Sequence, residues 1–152
     1  MAMKRALLIA LALLVASPAT ASRERATELA DPKPSVDAPR RIVVSLAESD
    51  PARANAVFSN VINIQEFYGP DRVELAIVLY GPGVRHVLKG DSQVAERVAS
   101  LRAYDITFIA CGNTLESMGR PHDDLLDGVE VVKNGLPEIV EKVLSGWVHL
   151  KP

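Results

Sequence analysis

The chain has 152 residues, room for one ordinary domain and not for two. Its 17 basic and 19 acidic residues leave a formal charge of −2, which argues against the concentrated basic face that a nucleic-acid partner requires. A single cysteine, Cys111, excludes an internal disulfide and is too few for a thiolate metal cluster.

Lys4 and Arg5 precede a purely apolar run, Ala6 to Ala16, and Ala19-Thr20-Ala21 follows as a small-residue cleavage site. This order of a basic, an apolar and a small-residue region marks residues 1–21 as a signal peptide cleaved after Ala21. The run is too short for a spanning helix, which needs roughly 20 apolar residues. No cysteine ends it, so a lipid anchor has no acceptor, and no second hydrophobic span follows. The mature protein is therefore expected to be periplasmic or secreted and to have no membrane association. Cleavage removes two basic residues and leaves 15 basic against 19 acidic ones, a formal charge of −4.

Residues 22–39 are charged, carry Pro32, Pro34 and Pro39, and show no apolar period, so they read as a flexible leader. The domain is expected over residues 40–152. Arg41 to Ala47 is a short run rich in β-branched residues, suited to a strand covered on both faces. Ser49 or Asp50 before Pro51 marks a helix start. Ala54, Val57, Phe58, Val61, Ile62 and Ile64 then give that helix one broad apolar face, until Gly69-Pro70-Asp71 ends it.

Val73 to Tyr80 reads as the second strand, Gly81-Pro82-Gly83 as a tight connection and Val84 to Leu88 as a short helical turn. Gly90-Asp91-Ser92 is expected to cap a helix from about Gln93 to Ala103, with Val94, Val98 and Leu101 inward. Asp105 to Cys111 is the third strand. Asn113 and Glu116 have the spacing of a capping box for a short helix after it. Pro121 with Asp123 and Asp124 begins another turn. Val129 to Val132 is the fourth strand, Leu136 to Leu144 the last helix, and Trp147 to Lys151 the last strand. Strands alternating with helices mean βαβ units. The expected fold is an α/β class, three-layer α/β/α sandwich around a mostly parallel five-stranded sheet.

In such a sheet, function gathers at the carboxyl ends of the strands. The loops at Ala47-Glu48-Ser49, Gly81-Pro82-Gly83 and Cys111-Gly112-Asn113 all belong to that edge. Cys111 ends its strand beside a helix start, where backbone N–H groups favour the thiolate. Gly112 leaves room for a partner's reactive atom. Gly81, Gly83, Gly112 and Asn113 are the expected lining of the site. A buried cysteine acting as a small apolar residue is the competing reading. Gly81-Pro82-Gly83 is read as a turn that redirects the chain, since it fits neither phosphate-binding fingerprint. His86, His122 and His149 have no metal-ligand spacing; His122 is one short helix from Cys111. No metal and no cofactor is expected. Phe58, Phe67, Tyr68 and Trp147 are assigned to core or subunit contacts.

The Ala-Cys-Gly-Asn-Thr-Leu run at Ala110 to Leu115, the Tyr-Gly-Pro-Gly turn at Tyr80 to Gly83 and the Gly146-Trp147 ending resemble, in order and spacing, the DsrE/DsrF-like family of sulfur-relay proteins. The resemblance covers Arg40 to Pro152. It implies the family's α/β/α fold and assembly into homo-oligomers, trimers or hexamers. It also implies a cysteine that accepts sulfane sulfur as a persulfide and passes it on, a role only Cys111 matches, with a sulfur donor and acceptor protein or a small sulfur compound as partner. An exported chain departs from the family's better-understood cytoplasmic members. Without persulfide chemistry, the same fold would serve as a non-catalytic oligomeric module that binds a small ligand at the carboxyl edge. A third reading is a redox sensor that forms a mixed disulfide between subunits.

Overall fold

The computed structural model describes residues 24–152. The expected signal peptide, residues 1–21, lies outside them. Residues 24–39, most of the expected leader, carry no helix or strand. Ser35 and Ala38 exchange backbone hydrogen bonds in a turn just ahead of the domain.

Five strands follow: β1 (Arg40–Leu46), β2 (Val73–Leu79), β3 (Thr107–Cys111), β4 (Glu130–Val132) and β5 (Val148–Leu150). Four α-helices connect them: α1 (Pro51–Tyr68), α2 (Ala95–Ala103), α3 (Gly112–Ser117) and α4 (Gly135–Leu144). The sheet order is β4-β3-β2-β1-β5 and every pairing is parallel. The α/β/α class is as the sequence pattern implies, with the sheet wholly parallel.

The order of strands decides where the helices lie. From β1 to β4 the chain steps always in one direction across the sheet, and right-handed crossovers in one direction fall on one face. The segment between β4 and β5 must return across the whole sheet, so α4 falls on the other face. Burial follows this division. Ile42, Val44, Leu46, Leu75, Ile77, Leu79, Phe108 and Ala110 face the side holding α1, α2 and α3 and form the larger core. Val43, Ala76, Val78 and Ile109, the alternate residues, meet Ile139 of α4 in the smaller one. Period-two alternation in strands buried on both sides produces these two sets.

Local signals explain most boundaries. Asp50 accepts the Ala52 N–H at 2.9 Å and caps α1, with Pro51 at the first helical position. Gly69, at φ +87°, ends that helix. Val94, Val98 and Leu101 are buried as their spacing implies, but α2 begins at Ala95 rather than Gln93. Ser92 still serves the approach, accepting the Val94 N–H at 3.2 Å. Gly81 to Val87 forms one 3₁₀ segment rather than a tight turn followed by a separate helical one. The capping box does not form either. The residue at the cap of α3 is Cys111, no side chain caps the helix, and Glu116 pairs with Lys133 at 2.6 Å. The helix starts as soon as β3 ends, which places Asn113 inside it.

Candidate functional site

Strand β3 leaves the sheet towards α3 on one face, and its neighbour β4 leaves towards α4 on the other. Where adjacent parallel strands diverge in this way, a crevice opens at their carboxyl ends. Cys111 stands in it. It is paired with Val132 in register and faces the α4 side of the sheet. Tyr80 follows Leu79, which pairs with Ala110, and so comes alongside.

The crevice holds a pocket of about 190 Å³ lined by Tyr80, Gly81, Cys111, Asn113, Thr114, Asn134, Gly135, Leu136 and Pro137. None of these side chains is charged at neutral pH. Cys111 is 7% exposed, nearly buried yet on the pocket wall. The first N–H of α4, that of Gly135, donates to Sγ at 3.3 Å. As a thiol, Cys111 has only a long contact to the Lys133 carbonyl, at 4.0 Å. The N–H of Gly81 donates to Thr114 Oγ1 at 3.0 Å, and Asn113 Nδ2 donates to Asn134 Oδ1 at 2.6 Å, tying the two loops together.

Burial pushes the Cys111 thiol up. Hydrogen bonds outweigh it: the Thr114 hydroxyl, then the N–H groups of Gly135, Thr114 and Asn113, hold the thiol below its ordinary range. Donors directed at sulfur favour the charged form, so this is an environment built for a thiolate. Chemically, the arrangement supports nucleophilic attack by sulfur, with no adjacent side-chain base required.

Of the residues expected at the site, Cys111, Gly81 and Asn113 line this pocket. Gly83 and Gly112 do not. Gly83 packs under the end of β1, where a Cβ would lie 2.3 Å from the Leu46 carbonyl oxygen. Gly112 takes no positive φ; it contributes instead to a neighbouring cavity of about 470 Å³ with Leu115, Glu116, Arg120, Pro121, His122, Val131 and Lys133. His122 belongs to that cavity and not to the cysteine's pocket. His86 is buried with Nε2 2.8 Å from the Glu48 carbonyl oxygen, and exposed His149 bonds Ser45 Oγ at 3.0 Å.

Sequence reasoning missed Gly135, Thr114, Asn134 and Tyr80. Gly135 carries the clearest reason for its identity, since a Cβ there would approach Cys111 Cβ to 2.9 Å. Asn134-Gly135 reads as an ordinary turn in the sequence, and its closeness to Cys111 depends on β4 pairing with β3.

The family model of the DsrE/DsrF-like family matches residues 41–152. Among solved structures, a protein of unknown function, MTH1491, from Methanobacterium thermoautotrophicum is 34% identical, with a TM-score of 0.71. The match covers 74% of this chain and 99% of that one. The ychN protein from E. coli, 20% identical with a TM-score of 0.62, covers the same shares of both chains and has the same fold. So does a conserved protein of unknown function, BT1422, from Bacteroides thetaiotaomicron, 18% identical with a TM-score of 0.58 over 74% of this chain and 94% of that one. No curated protein matches the chain.

Proposed function

We propose, from the premise that this chain belongs to the DsrE/DsrF-like family, that it carries sulfane sulfur as a persulfide on Cys111. The observation that supports this most is the sulfur's setting: Sγ lies on the wall of a crevice between diverging strands, with the Gly135 N–H donating to it at 3.3 Å. Loading is a displacement at sulfur. The Cys111 thiolate attacks the outer sulfur of a donor R–S–SH, the donor's S–S bond breaks, and R–S⁻ leaves with the electron pair. The product is Cys111–S–SH, and no external oxidant or reductant enters. Hand-over is the same step in reverse sense, with an acceptor thiolate attacking the outer sulfur and Cys111 leaving as thiolate.

In this reading the chain is exported and loses residues 1–21, so donor and acceptor are met outside the cytoplasm. It works as a homo-oligomer, a trimer or hexamer. The outer face of α4 and the edge strand β5 suit that assembly, with Leu136, Val140, Val143, Leu144 and Val148 all exposed.

Intact mass of the exported wild type and of Cys111→Ser, each incubated with polysulfide, tests the reading. A gain of about one sulfur atom on the wild type alone, reversed by a reductant, is the expected result. The same spectrum reports the loss of residues 1–21. Equal gain on both proteins, or gain on neither, overturns persulfide carriage. The low exposure of Cys111 favours the binding module as the second reading, and with it slow alkylation of the native thiol relative to the unfolded chain.

A further inference from the structure

The Tyr80–Gly83 turn and the Ala110–Leu115 run lie far apart in the chain, yet one hydrogen bond joins them, from the Gly81 N–H to Thr114 Oγ1 at 3.0 Å. That bond determines what the hydroxyl does next. A threonine hydroxyl has one proton and two acceptor lone pairs. With a lone pair engaged by a backbone N–H, its proton is left to donate, and the acceptor it meets is the Cys111 sulfur. The helix brings them together, because Thr114 is the third residue of α3 and Cys111 the residue at its cap. Gly81 sits at φ +52°, a conformation glycine adopts without strain, so the turn's composition suits the direction of its N–H.

We propose that Thr114 is a positioning residue for sulfur transfer at Cys111: anchored by Gly81, its hydroxyl donates to Sγ and holds that sulfur as the anion. Two elements then serve the same atom, α3 through Thr114 and α4 through the Gly135 N–H. The consequence reaches both half-reactions. A stabilised thiolate is the form that attacks the donor at neutral pH, and it is also the better leaving group when an acceptor thiolate removes the outer sulfur. The proposal rests on the persulfide reading for its reaction, but its hydrogen bond is measurable without any sulfur donor.

The test is the pH profile of iodoacetamide alkylation for the mature wild type, Thr114→Val and Thr114→Ser, with sulfur loading by intact mass beside it. Thr114→Val is expected to raise the midpoint by about one pH unit, the scale of one hydrogen bond to a charged group. Thr114→Ser, which keeps the hydroxyl, is expected to restore it. Thr114→Ala gives the same reading should the valine variant not fold. A midpoint that stays at the wild-type value in the valine or alanine variant, in a protein that loads sulfur, overturns the role of Thr114 alone. A wild type that takes up no sulfur overturns the carriage reading and with it the reaction Thr114 would serve, so the two failures are told apart.

Discussion

The two faces of the sheet are built unequally. One is covered by α1, α2, α3 and the 3₁₀ segment after β2, and it buries Phe58 and Phe108 edge to face, with ring centroids 5.6 Å apart. The other is covered by α4 alone, which contributes one large buried side chain, Ile139. The same helix turns Leu136, Val140, Val143 and Leu144 outward, so it is apolar on both sides. A monomer gains by burying one side of a helix; the second apolar side gains only from another surface. The thick face is the fold's main store of stability, and the thin face holds the cysteine and presents the surface for assembly.

The largest expected effect tests the inequality directly. Phe58→Ala removes a fully buried ring and its partner contact, and should cost about 4 kcal/mol; Ile139→Ala, on the thin face, should cost about 2 kcal/mol. Denaturant midpoints of the two variants provide the check, and equal losses would break the comparison. Gly135→Ala is next, at about 1–2 kcal/mol, because the new methyl group must displace Cys111 Cβ or Tyr80. It should also slow alkylation of Cys111 at neutral pH, since moving α4 withdraws a donor from the sulfur. A variant as stable and as reactive as the wild type would detach the cysteine from the thin face. The smallest change in monomer stability, within about 0.5 kcal/mol, is expected for Val140→Ser with Leu144→Ser, because both side chains are exposed. Sedimentation velocity should nevertheless show the wild-type oligomer falling to smaller species. An unchanged oligomer would move the assembly surface off α4.

Much of the fold was legible because each strand carries its own signal. β-branched runs of five to seven residues, buried on both sides, stand out between Asp50-Pro51, Gly69-Pro70 and similar stops. Boundaries governed by tertiary contacts were less legible. Asn113 has the spacing of a capping box, but its side chain is drawn to Asn134 and Glu116 to Lys133, both partners on the β4–α4 loop. Gly83 and Gly112 read as site glycines because they stand beside the right residues in the chain. Their places are set by Leu46 and Val132, strand residues to which no local pattern points.

By itself the sequence determined the succession of strands and helices, the resemblance to a family, and the place of Cys111 at the end of a strand. Those properties are local, written in periodicity, caps and short motifs. Only the tertiary structure decided the strand order, and with it the reversal that sends α4 to the opposite face from α3. The crevice that results brings Gly135 and Thr114 to one sulfur atom. Strand order is a property of pairing between distant segments, and the reactivity of a thiol depends on the donors those segments deliver.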